Sequence, residues 1–81
     1  MTLKMIVAGT NANGEPDLFF LRMHCTLEEY NEGEHYEEAR RIADIEGYKP
    51  PFVPFDENDT AGKALLPLCP WEWETTGDYT V

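Results

Sequence analysis

The stretch Leu18-Phe19-Phe20-Leu21-Arg22-Met23-His24-Cys25 decides the fold. In extended backbone, successive side chains point to opposite faces. Phe19, Leu21, Met23 and Cys25 then share one wholly apolar face. Leu18, Phe20, Arg22 and His24 share the other, which turns polar toward its end. Alternation of this kind is the pattern of a strand with a buried side. Just upstream, Thr10-Asn11-Ala12-Asn13-Gly14-Glu15-Pro16-Asp17 is dense in turn residues. Asn13 and Gly14 both tolerate positive φ, so this segment reads as a hairpin connection. Residues 2–8 carry the apolar run Ile6-Val7-Ala8 and read as its first strand.

Downstream the period changes. Thr26-Leu27-Glu28-Glu29 has the spacing of a capping box, with Thr26 as N-cap and Glu29 three residues on. Gly33 interrupts the turn that follows, and Asn31 with Glu34 is placed to cap a second helix. The main helix is expected over 34–46, where Tyr36, Ala39, Ile42 and Ala43 fall on one arc. His35 sits at the margin of that arc. Glu37 with Arg41 and Arg40 with Asp44 are i,i+4 pairs on the other side. Gly47 suits the end of the helix, and Pro50-Pro51 forbids its continuation.

Phe52-Val53-Pro54-Phe55 is β-like, but Pro54 confines it to a sheet edge or an extended segment. Asp56-Glu57-Asn58-Asp59-Thr60 reads as a solvated turn, with Asp59 or Thr60 capping a brief helix over 61–66 that Pro67 closes. Trp71-Glu72-Trp73-Glu74 alternates, Thr75–Asp78 is turn-like, and Tyr79-Thr80-Val81 is expected to return as the second strand of a terminal hairpin. The sum is an α+β fold in one small domain spanning 1–81. It has an N-terminal β-hairpin, a mostly antiparallel sheet, one main helix on its Phe19/Leu21/Met23 face, and a short extra strand or hairpin near the C-terminus.

Charge bounds the function. The 81 residues hold 16 Asp and Glu against six Lys and Arg, a net charge of −10. Direct nucleic-acid binding requires clustered Lys and Arg for phosphate contacts, and an anionic membrane surface requires the same. Both are excluded as expectations. The two cysteines, Cys25 and Cys69, are too few for a disulfide scaffold. No stretch approaches the 18 or so apolar residues of a membrane span, and no secretory signal pattern stands at the N-terminus. A cytoplasmic location follows as an expectation.

Motifs for chemistry are few. His24 and Cys25 are neighbours on a strand and so point to opposite faces, which hinders their sharing an ion with His35 or Cys69. Acidic surroundings raise a thiol pKa and disfavour Cys25 as a nucleophile. Asp56-x-Asn58-Asp59 departs from a calcium loop at Thr60, Ala61 and Pro67. Gly-rich phosphate cradles are absent. No catalytic residue, cofactor or metal ligand is assigned. In length, acidity and lack of motifs the chain resembles small accessory proteins of bacteria and their phages.

The carboxylates are not evenly spread. Glu28, Glu29, Glu32, Glu34, Glu37 and Glu38 lie between Thr26 and Glu38 with no Lys or Arg among them. Smaller sets stand at Asp56, Glu57 and Asp59 and at Glu72, Glu74 and Asp78. Trp71 and Trp73 sit among the last set. A negative segment with aromatic anchors is a device for recognising a basic protein surface. The expectation is a non-catalytic protein-binding module. Its partner-binding residues are the six glutamates with Trp71 and Trp73, and its partner is a basic protein. One version is an inhibitor that imitates nucleic-acid charge. The alternatives are a metal- or ligand-binding domain using His24, His35 and Cys25, and a homodimeric accessory subunit joined through a sheet edge or the Trp segment.

Overall fold

The structure is a computed structural model and describes residues 1–81. Strand β1 (Thr2–Thr10) and strand β2 (Pro16–His24) pair antiparallel in continuous register, with Ile6 opposite Phe20 and Met5 opposite Leu21. The turn between them is organised by Asn11, whose Oδ1 accepts the N–H groups of Asn13 and Glu15. Strand β3 (Lys49–Asp56) pairs antiparallel with the other side of β1, and strand β4 (Asp78–Thr80) pairs parallel with β2. The sheet order is β3-β1-β2-β4. This is an α+β fold with a mixed four-stranded sheet.

The alternation of β2 divides the structure into two layers. Leu3, Met5 and Val7 of β1 join Leu21, Met23 and Cys25 in one buried cluster. Helix α1 (Leu27–Glu32) and helix α2 (Glu34–Ile45) lie on that side, and Ala39, Ile42 and Ala43 of α2 complete the cluster. Both alanines are fully buried, and their small side chains let the helix approach the sheet closely. The capping box forms as its spacing predicts: Glu29 N–H donates to Thr26 Oγ1, and Thr26 N–H donates to Glu29 Oε1. Gly33 alone joins the two helices. At φ 76° it ends α1 and stands at the N-cap of α2, a conformation that favours glycine. Asn31 belongs to α1 and caps nothing. The expected i,i+4 ion pairs are replaced by i,i+3 pairs, Arg40 with Glu37 and Arg41 with Glu38. Arg41 therefore turns back along the helix to Glu38, one position from the partner its spacing suggested.

Ile6 and Phe20 point to the other face and are buried there by the C-terminal segment. Helix α3 (Thr60–Leu65) and a 3-10 turn at Leu66–Leu68 cross this face. A second 3-10 turn at Trp73–Thr75 follows. The terminal hairpin expected over 71–81 does not form. Both Trp rings pack edge-on against Phe20, at 6.0 Å for Trp71 and 5.8 Å for Trp73. Arg22 Nη2 donates to the carbonyls of Glu74 and Thr76, and Asp78–Thr80 pairs with β2 and not with 71–74. The backbone curls through the 3-10 turn, and within 71–81 only Asp78–Thr80 forms a strand.

Gly62 sets the distance between α3 and β3. A Cβ at this position would lie 1.9 Å from the carbonyl oxygen of Asp56. Gly62→Ala therefore forces α3 off the strand. Overpacking of this kind typically costs about 1–3 kcal/mol. At roughly 4–8 °C of Tm per kcal/mol for a domain of this size, thermal unfolding followed by circular dichroism should show a clear fall. An unchanged Tm would refute the close approach.

Candidate functional site

Asp56 ends β3 with its side chain buried, and only 2% of the residue is exposed. The sequence reads this position as solvated, and the structure corrects that reading. Its Oδ1 accepts the N–H groups of Asn58 (2.8 Å) and Asp59 (3.1 Å), so the turn folds back onto the carboxylate. Its Oδ2 lies 2.9 Å from Nε2 of His35 and 3.0 Å from the hydroxyl of Tyr36. A carboxylate offers only acceptors, so His35 donates through Nε2–H. His35 is itself fully buried, not marginal; it stacks on Tyr30 with ring centroids 4.9 Å apart, and the tilted ring of Tyr36 lies 4.1 Å away. Its Nδ1 has no hydrogen-bond partner among the protein atoms.

Asp59 closes the cluster. Its Oδ2 accepts the backbone N–H of Asp56 (2.8 Å) and lies 2.7 Å from the Tyr36 hydroxyl, whose single proton it shares with Asp56. It stands at the N-cap of α3 as expected, yet its side chain makes no capping bond there, because it is turned toward Tyr36. Burial, followed by its hydrogen bonds to Asp59 and Asp56, drives the Tyr36 phenol far above its usual range. Burial alone would raise the Asp56 carboxyl. The donors from His35, Asn58 N–H and Tyr36 outweigh it and hold the carboxyl below its ordinary value.

Outside this cluster, α2 and β3 border an open groove of about 530 Å³. Val53, Pro54 and Phe55 form its apolar side, and Tyr36, Asp59 and the paired Glu37 and Arg40 its polar side. The acidic segment runs along the same shoulder. Of its six glutamates, Glu29 serves the capping box, and Glu37 and Glu38 hold Arg40 and Arg41. Glu28, Glu32 and Glu34 are exposed and engage in no hydrogen bond or ion pair. Glu28 and Glu32 stand one helical turn apart, on one face of α1.

The structure does not bring the remaining candidates to this shoulder. Trp71 and Trp73 lie on the opposite face of the sheet, against Phe20, and the Lys4 ammonium sits 5.7 Å from the centroid of Trp73. His24 reaches Asp78 through Nε2 at 3.1 Å, with Thr2 Oγ1 2.9 Å from its other ring nitrogen. Cys25 is buried, and burial, opposed by the N-terminal ammonium, pushes its thiol up. His24, His35 and Cys25 thus have separate environments, and no three His, Cys, Asp or Glu side chains converge as ion ligands.

Asp56→Asn tests the buried cluster. It keeps the shape but turns two N–H donors, those of Asn58 and Asp59, toward a group that no longer carries charge. Hydrogen bonds to charged groups contribute about 1.5–3 kcal/mol, so the variant should lose stability on that scale at neutral pH. A carboxyl depressed in the folded state stabilises above its unfolded pKa, and the contribution fades as pH falls through the folded value. The carboxylate's contribution to the gap between wild type and Asp56→Asn should therefore hold near neutral pH, start to narrow as the pH falls to the ordinary carboxyl range of about 4, and close only below the depressed folded value. Urea unfolding across that range measures it, and a gap that persists in acid would refute the assignment.

No family model, no curated protein and no solved structure matches the chain, so the reading of its function rests on this geometry.

Proposed function

We propose that the protein is a non-catalytic binding module that engages a basic protein through the shoulder formed by α1 and the start of α2. The observation that carries this reading is that Glu28, Glu32 and Glu34 are exposed with no ionic partner. The chain has few cations to offer them. Arg22, Arg40 and Arg41 are each committed to a carboxylate, Lys4 lies over Trp73, and Lys49 and Lys63, exposed on β3 and α3, pair with none of the three glutamates. Negative potential on this shoulder therefore goes unanswered within the chain, and it steers a positively charged surface toward it. The neighbouring groove adds apolar area at Val53 and Phe55, against which the stem of a lysine or arginine bound to the shoulder can pack. Proteins that hold nucleic acid on a Lys/Arg-rich face form one class of partner with this chemistry.

The test is capture from a bacterial lysate by the wild type and by a variant with Glu28, Glu32 and Glu34 all changed to Gln. Wild type should retain a basic protein at about 0.05 M salt and release it by about 0.3 M, where charge screening is strong. The triple variant should fail to retain it at either salt, while remaining folded at the assay temperature by circular dichroism. Duplex DNA added as competitor should displace the partner if the shoulder occupies a nucleic-acid face. Equal capture by the variant, or capture indifferent to salt, would overturn the proposal.

A further inference from the structure

Strand β4 pairs with β2 only at Arg22–His24, so the outer edge of β2 over residues 16–21 has no strand partner. Arg22 N–H donates to the Gly77 carbonyl and Val81 N–H to the His24 carbonyl, each at 3.0 Å. Even-numbered residues of β2 therefore turn their backbone groups to this side, and those of Leu18 and Phe20 follow by parity. Leu18 N–H is taken by Asp17 Oδ1 at 2.8 Å. The Leu18 carbonyl and the Phe20 N–H face a side on which no strand stands. An edge in this state is a template for strand addition, in which main-chain bonds give affinity and alternate side chains give specificity.

The edge borders the largest cleft of the molecule, of about 610 Å³, and the lining comes from both faces of β2. Leu18, Phe20, Leu68 and Trp71 stand on one face, where Leu68 is 59% and Trp71 50% exposed. Trp71 is nevertheless held firmly. Its indole N–H donates to Thr76 Oγ1 at 2.8 Å, and its ring meets Phe20 edge-on. A fixed ring with half its area exposed is a docking anchor with little ordering entropy left to lose. Asp17 and Tyr48 stand on the other face, where Tyr48 packs on Phe19 with ring centroids 5.3 Å apart. Successive side chains of an added strand point to the two faces in turn. Those on the first face meet apolar surface, and those on the second meet a carboxylate beside aromatic rings.

Charge selects the occupant. Asp17 is exposed and has no ion-pair partner, and no Lys or Arg lines the cleft. Burial raises the Tyr48 phenol, and the charges of Asp17 and Glu46 raise it further, so negative potential reaches this end of the cleft. A lysine or arginine complements it, with its stem laid along Tyr48. A second copy of the chain does not, because it brings a net charge of −10 and its own Asp17 to the same edge. We propose that the open edge of β2 takes up an extended segment of a partner protein in which apolar residues alternate with lysine or arginine, the apolar ones against Leu68 and Trp71 and a basic one against Asp17. None of Glu28, Glu32 and Glu34 lines the cleft, so this proposal and that of the acidic shoulder stand or fall separately.

The probe is a synthetic peptide of about eight residues, leucine alternating with lysine, at about 0.15 M salt. It is titrated against the wild type and against the full chain with Glu28, Glu32 and Glu34 changed to Gln. Indole fluorescence and amide NMR shifts at Leu18, Phe20 and Trp71 should saturate alike in both chains, and hydrogen exchange at the Phe20 N–H should slow. Asp17→Asn keeps an acceptor for Leu18 N–H but removes the charge, and should weaken binding about fivefold or more. The same peptide N-methylated at every amide keeps its side chains and charge but cannot pair as a strand, and should not saturate. Absence of saturation by the unmethylated peptide at about 1 mM would overturn the proposal. So would shifts confined to α1 and α2, full affinity in Asp17→Asn, equal binding of the methylated peptide, or a wild-type dimer closed through residues 16–21 at micromolar concentration.

Discussion

The carboxylate of Asp56 is the point on which three elements of the fold converge. An ionised side chain withdrawn from water is costly unless donors surround it. Here His35 and Tyr36 supply donors from α2, and Asn58 and Asp59 supply them from the turn after β3. The same residue is held by its backbone. Its N–H is taken by Asp59, and its carbonyl faces the hydrogens of Gly62 at the closest approach of α3. Apolar contacts between α2 and the sheet would permit small slides along the ridge of alanines. Directional bonds to a buried charge do not, because each slide strands a donor or the carboxylate itself. The register of α2 on β3, and with it the outline of the neighbouring groove, follows from this one residue.

The distribution of cations then decides where the acidic surplus shows. Arg22 is spent on holding the C-terminal segment, and Arg40 and Arg41 are spent along α2. Nothing basic lies within 26–38, so α1 and the first turn of α2 keep their charge exposed. Acidic side chains near helix N-termini also favour the helices that carry them, and the first turns of α1 and α2 hold Glu28, Glu29, Glu34 and Glu37. The β3 edge, by contrast, is poorly suited to strand addition. In β3 the three prolines at 50, 51 and 54 provide no N–H, and Asp59 covers that of Asp56. On the other side β4 covers only Arg22–His24, so the outer edge of β2 over residues 16–21 has no strand partner.

Much of the fold was legible because its signals are local. The alternation of 18–25, the turn at 10–17, the capping box at Thr26 and the 34–46 helix each depend on residues within a few positions of one another. The observed α2, Glu34–Ile45, matches its pattern almost to the residue. The buried cluster was not legible. His35 and Asp56 lie 21 residues apart, and no spacing rule links a histidine at a helix start to an aspartate at a strand end. Asp56-Glu57-Asn58-Asp59 has the composition of a surface turn, and it is a turn. What composition hides is the direction of the first carboxylate. One local sign was available: an aspartate at the head of such a turn folds back on the N–H groups two and three residues later, as Asp56 does. The Trp segment failed for a related reason. Its alternation suits a strand, but Phe20 and Arg22, some fifty residues earlier, impose a curl.

That curl separates residues that sequence proximity to acid had grouped together. Trp71 and Trp73 stand among carboxylates in the chain, as the helix glutamates do, and a single acidic and aromatic surface is the natural reading. The parity of β2 forbids it. Leu21 faces α2 and Phe20 faces away, so whatever packs on Phe20 is divided from the shoulder by the thickness of the sheet. Trp73, half-buried beneath Lys4, serves the core of this second layer, while Trp71 keeps half its surface open. A partner that met both the shoulder and Trp71 would have to pass around an edge of the sheet. The two faces therefore behave as independent surfaces: one offers charge with little aromatic area, and the other offers aromatic area with a single unpaired aspartate at its end.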